Sequence, residues 1–190
     1  MSNSFFEEEN FENLNKEKPL KIGEFFDCIF SNCDFSEKDF SNYQFTECTF
    51  NNCNFSMVKL LKTVLNDISF NNCKLLGLHF EDCNEFALSF SFENCQLNHT
   101  SFYNCKIKET IFGNCQLIEC DFTDCDLSGS SFNNCDLAGA VFENSVLEKA
   151  DLKSASNYII DPENNKIKNA RFSLQNIHGL LNKYQIIIES

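Results

Sequence analysis

Twelve cysteines and three histidines are the residues of this 190-residue chain that first suggest chemistry. Thiolates and imidazoles ligate zinc, and an activated thiolate is a nucleophile. The spacing argues against both uses. Cys115, Cys120 and Cys125 stand five apart, no C-x-x-C pair occurs, and His79, His99 and His178 share no ligand spacing with them. No Ser-His-acid or Cys-His set is brought together by the sequence period. The expectation is a non-enzymatic chain with no cofactor and no metal, whose thiols serve as small apolar residues. The carboxylates carry more information. With 28 acids against 15 bases the net charge is −13, which disfavours duplex nucleic acid and anionic membrane as direct ligands. A partner that itself bears basic DNA-binding grooves would be attracted.

What must position these groups is a repeat. From Phe30 an apolar residue falls on every fifth position through Phe35, Phe40, Phe45, Phe50 and Phe55 to Phe80; the series slips by two residues, then resumes from Phe92 to Leu152. Two positions before most of these centres sits a small residue, and eleven of the twelve cysteines are there; Cys83 keeps that phase where the series slips. The other positions are mostly Asn, Asp, Glu, Ser and Lys. A period of five fits neither the 3.6 of an α-helix nor the 2 of a plain strand. It fits a coil that turns a corner every five residues, pointing one large and one small side chain inward. Four sides close a square of 20 residues. The runs "FSNC", "FNNC", "FENC" and "FGNC" begin at Phe30, 50, 70, 92, 112 and 132, which gives that 20-residue turn and places a two-residue insertion between Glu81 and Phe90. Asn32, Asn52, Asn72, Asn94, Asn114 and Asn134 then line one corner, where Asn tolerates a turn conformation that β-branched residues refuse.

Units such as "CDFTD", "CDLSG", "CDLAG" and "ADLKS" resemble the pentapeptide-repeat family over roughly residues 24 to 157. The resemblance implies an all-β fold, a right-handed quadrilateral β-helix, with Cys standing for much of the consensus Ala and Phe for about half of the Leu. The tail, "IDPENNKI…LQNIHGLLNKYQIII", resembles the C-terminal module of the quinolone-resistance (Qnr-type) and microcin-immunity members. That implies a cap over 158–190 that closes the helix and forms a two-fold homodimer, with Ile177, Leu180, Leu181, Tyr184, Ile186 and Ile188 at the interface. It also implies action on DNA gyrase or topoisomerase IV, in some members as a DNA mimic. The resistance proteins carry loops of several residues that this chain lacks.

Within the tail, Asp161-Pro162 marks a turn and "NKIKNARF" reads as a strand. Ser173 is an N-cap for a helix from about Leu174 to Tyr184, followed by a short strand at "QIIIE". Residues 1–23 depart from the period and would cap the first coil through Phe5, Phe6, Phe11, Leu14, Leu20 and Ile22. Numbering the sides from Phe30, sides three and four carry 14 acids and 6 lysines, sides one and two 6 acids and 2 lysines. In the later coils Glu109, Asp121, Asp124, Asp126, Glu143 and Glu148 gather on the more acidic half, as a candidate partner-binding face. With three Glu where an apolar leader core would sit and no long apolar run, the sequence reads as cytoplasmic. The alternative function is a scaffold for an unrelated cytosolic partner.

Overall fold

The computed structural model describes residues 4–187 and 189. The chain winds as a quadrilateral β-helix in which each coil lies in parallel register on the next. Side one is a nine-stranded parallel sheet: Asn10–Glu12, Ile29–Ser31, Thr49–Asn51, Ile68–Asn71, Phe90–Glu93, Ile111–Gly113, Ser131–Asn133, Asp151–Leu152 and Arg171–Phe172. Side four is a four-stranded sheet, Ser4–Glu7, Gly23–Phe26, Gln44–Thr46 and Val64–Asn66. Sides two and three are held by single bridges such as Asn54↔Lys74 and Ser101↔Asp121. Nine rungs at one strand spacing make a rod of ~38 Å.

The inward columns are those of the pentad. Phe11, Phe30, Phe50, Phe70, Phe92, Phe112 and Phe132 form a continuous stack with ring centroids 4.7–5.3 Å apart. Phe80, Phe102, Phe122 and Phe142 form a second. In-register parallel pairing places identical rings face to face, so burial and offset stacking act together. The left-handed corners recur at the expected asparagines, Asn32 to Asn134, with φ of 53° to 55°. They recur as well at Met57, Lys62 and Glu109, where the side chain gives no local help. There the coil-to-coil hydrogen bonds, such as Met57 N to Leu76 O at 2.9 Å, hold a conformation that costs an L-residue roughly 1–2 kcal/mol.

Three expectations are corrected at the ends. Residues 4–14 do not leave the period but form the first coil: Phe6 pairs with Phe25 and Phe11 with Phe30, 19 residues apart rather than 20. The last coil likewise continues past 157, since Asp151 pairs with Arg171 and Leu152 with Phe172. "NKIKNARF" is therefore a further corner, not one strand. The α-helix expected over 174–184 is instead two short 3-10 turns, Ile177–Leu180 and Asn182–Tyr184. The Gly179 carbonyl accepts the Ile160 amide at 3.0 Å, which docks this segment on the coil below and takes an acceptor that an α-helix needs for residue 183. A Cβ at Gly179 would overlap the Tyr158 carbonyl, so that close approach requires glycine. Ser173 is not the N-cap, which falls on Asn176; its hydroxyl accepts the Asn176 amide at 3.3 Å in the turn that precedes the segment. No strand forms at Ile186 or Ile187.

Lys38 takes an inward position that Val58, Leu78, Thr100, Cys120 and Ala140 fill in the coils above. It is half-buried and reaches the end of the rod, donating to the Asn15 carbonyl at 2.9 Å. Burial lowers its pKa. A cation suits this place only because the first coil is short there and opens to water.

Candidate functional site

All twelve cysteines are free and buried. In the column from Cys33 to Cys135 each thiol donates to backbone carbonyls, as Cys73 does to Phe50 O at 3.4 Å and to Asn71 O at 3.3 Å. Burial pushes Cys48 and Cys120 up to about 12, so these groups stay protonated thiols at neutral pH. Among the described residues no group of three or more His, Cys, Asp and Glu is arranged to hold a metal ion. The histidines are exposed: His79 contacts Glu81 at 2.9 Å and His99 contacts Glu119 at 3.1 Å. This is local surface pairing, with no nucleophile beside either ring.

The outward residues divide the rod. On side one, the eighteen outward positions from Ile29 to Asn134 contain a single charge, Glu93. That carboxylate lies over Gly113 and accepts the Asn114 side-chain amide at 2.6 Å. Around it Asn and Ser side chains form ladders, with Asn52 donating to Asn32, Asn71 to Asn51 and Asn134 to Asn114 across successive coils. Sides three and four carry the acids. Glu109, Asp124 and Glu143 are exposed there, whereas Asp121, Asp126 and Glu148 are half-buried.

The six acids are not equivalent. Asp121 accepts the Thr123 amide at 2.9 Å, a local turn bond. Asp126 accepts the Ser128 amide and hydroxyl at 3.1 and 2.6 Å and pairs with Lys108 at 3.2 Å. Partial burial opposes its ionisation, but the Ser128 bonds and Lys108 outweigh it and hold the carboxyl below its ordinary pKa. Lys106 and Lys166 stand in the Asp126 column and Lys149 beside Glu148, so the acidity is interleaved with lysine. Asp124, Glu143 and Glu109 are the carboxylates left to face a partner.

At the tail the apolar face separates into two sets. Ile177, Leu180 and Leu181 are half-buried, and Leu180 packs on the core. Tyr184 and Ile186 are exposed, with the Tyr184 hydroxyl donating to Glu163 at 2.8 Å. Ile188 lies outside the described residues. Leu174 and Ile187, which are not among the residues the resemblance places at the interface, are 91% and 88% exposed. They make the strongest apolar signal on this end.

The sequence matches the pentapeptide repeat region family over residues 23–102 and 88–172, and the chain belongs to that family. Among curated proteins none matches. Among solved structures the chain is similar to QnrB1, a plasmid-mediated fluoroquinolone resistance protein, in a trypsin-treated variant form. The TM-score is 0.63 at 16% identity, over 98% of this chain and 92% of that one. Full-length QnrB1 gives 0.57 at 15% identity over 96% and 100% of the two chains. HetL, a pentapeptide repeat protein involved in heterocyst differentiation regulation from the cyanobacterium Nostoc sp. strain PCC 7120, gives 0.51 at 16% identity over 88% and 84%. At these identities the likeness is one of fold. No helix among the described residues is long and apolar enough to cross a membrane.

Proposed function

We propose that this pentapeptide-repeat protein acts without catalysis, in the cytoplasm, as an acidic, DNA-like ligand of DNA gyrase or topoisomerase IV. The observation that carries the reading is the uneven placing of the charge around the rod. Sides three and four hold 14 acids against 6 lysines, while side one is all but uncharged. Duplex DNA carries one charge per ~1.7 Å, so ~18 over the ~31 Å of the repeat region, whose net charge of −12 is of the same order and leans to this half, −8 against −4. The shared fold with QnrB1, described as a fluoroquinolone resistance protein, supports the same choice of partner. The test is gyrase supercoiling with purified protein titrated in, with and without a fluoroquinolone, at low and high salt. Inhibition or rescue at micromolar protein that fades with salt is expected. No effect at saturating protein would remove the topoisomerases and leave a scaffold with another cytosolic partner.

The same reading makes the rod a two-fold homodimer through its C-terminal end, which is supported by Leu174, Tyr184, Ile186 and Ile187 standing exposed together on one segment. Leu174→Glu with Ile187→Glu should give a monomer by light scattering with unchanged folding. An unchanged dimer mass would take this end out of the interface. Leu180→Glu is a poorer test, because that side chain packs on the core.

A further inference from the structure

The two-residue insertion on side four opens a cleft of about 580 Å³ between the turns at Phe80–Asp82 and Glu85–Ala87 and the coil above. That volume lies within the range of ligand pockets, ~300–1,000 Å³. Phe80 forms its buried floor, Leu88 a half-buried wall, and Phe86 and Tyr103 stand at the rim. Phe86 is 92% exposed, on a rod whose other phenylalanines in the coils above and below are stacked inside. Its position is built by the backbone. Asn84 accepts the Phe86 amide on its side chain at 3.1 Å, and the Asn84 amide is held by the Thr63 carbonyl at 2.9 Å. An exposed ring at the mouth of a cleft offers a face to a bound group.

The charge around the ring says what kind of group that is. Glu81, which also contacts the His79 ring at 2.9 Å, and Glu85 line the cleft against the single lysine Lys106. Burial, and after it the Glu81 carboxylate, push the Cys105 thiol, on the cleft wall, up to about 12. An aromatic face beside paired carboxylates binds a flat, weakly hydrated cation better than a compact one.

We propose that this cleft receives an arginine side chain of a protein partner, the guanidinium lying on Phe86 and Tyr103 and pairing with Glu81 and Glu85. The proposal goes beyond the topoisomerase reading and does not depend on it, since none of Asp124, Glu143 and Glu109 lines the cleft.

The test is titration of the 15N-labelled protein with Nα-benzoyl-L-arginine amide, followed by amide shifts, with Nα-benzoyl-L-citrulline amide as the neutral match. The expected result is shifts confined to residues 81–88 and 103–106, with at least about tenfold weaker binding of the citrulline compound. Glu81→Gln with Glu85→Gln should weaken arginine binding by a similar factor, Phe86→Ala several-fold, and Lys106→Gln should tighten it. All four positions are exposed, so the fold is not at stake. Glu109→Gln with Glu143→Gln should leave the affinity unchanged. Shifts spread along the acidic sides, equal binding of the citrulline compound, weakening by Lys106→Gln, or no binding would each overturn the proposal. Failure here leaves the gyrase assay unaffected, so the two readings are separable.

Discussion

Side one and side four are built from the same pentads, yet they differ in every outward property. Side one runs unbroken through nine strands with one charge among its central eighteen outward positions. Side four stops as a sheet after Val64–Asn66, is opened by the insertion at Glu85–Ala87, and resumes only as single bridges from Lys106 to Asp126, Val146 and Lys166. The inward column of side one is nevertheless continuous past the insertion, because the phase of Phe70 and Phe92 is kept over the extra residues. The fold thus rests on two inward residues in five. The other three are free to carry a pattern, and here that pattern is a neutral side, an acidic half and one cleft.

The sharpest way to break that division is to remove one inward and one outward phenylalanine. Phe112 is fully buried and stacks on Phe92 at 5.3 Å and Phe132 at 5.0 Å. Phe112→Ala should cost about 3–5 kcal/mol, read as a fall in the urea midpoint. Phe86→Ala should stay within about 0.5 kcal/mol of the parent. Comparable losses at the two sites would mean that burial does not sort the pentad as described.

The sorting was legible in the sequence wherever a large residue and a small one recur together. Phe11 lacks it, being preceded two positions earlier by Glu9, and the 19-residue offset hides both Phe6 and Phe11 from a 20-residue ruler. Ile167 and Phe172 keep the phase, but the Asp161-Pro162 turn and Asn165 at the inward position mask it. Asn165 is buried there because its side chain bonds to Ser145 N and Phe142 O, which no hydropathy pattern records. The tail's i, i+3, i+4, i+7 spacing makes one face only in an α-helix, and the backbone bond from Ile160 to Gly179, which no spacing records, draws the segment into 3-10 turns instead. For the candidate site, the acidic half could be counted from the sequence. The pairing of Asp126 with Lys108 and Ser128 could not, and Phe86 was visible only as an apolar residue out of phase.

A smaller effect tests whether charge placement matters to the partner. Asp124→Lys with Glu143→Lys reverses two exposed acids on the acidic half. Ser91→Lys with Ser131→Lys adds two charges to side one. If the acidic half meets a basic groove, the first pair should raise the protein concentration needed for half-effect on gyrase about tenfold at low salt, and the second pair should change it little. The gap should close as salt is raised. Equal losses from the two pairs would show that net charge alone acts and that the two sides are not distinguished.

The smallest effect concerns the tail, where Lys183 bridges Asp161 at 2.7 Å and Glu163 at 2.6 Å. Hydrogen bonding to Lys183 lowers the pKa of both carboxyls, and bonding to Asp161 and Glu163 raises that of Lys183. The signs define a window. The carboxyls bind protons less readily in the folded state, so their contribution is present above the ordinary carboxylate pKa of ~4 and is lost as pH falls through the lowered values. Lys183 binds its proton more tightly when folded, so its contribution is full below its ordinary pKa of ~10.4 and is lost as pH rises through the raised one. The groups lie at the surface, where salt screens them, so the clamp is weak. Amide exchange of residues 181–185, corrected for intrinsic rates, should therefore be slowest near neutrality and quicken below pH ~4 in dilute buffer. Lys183→Ala should remove that dependence while leaving the Gly179–Ile160 bond and the coils beneath it protected. A pH profile unchanged by Lys183→Ala would mean that backbone docking at Gly179 alone holds the tail to the rod.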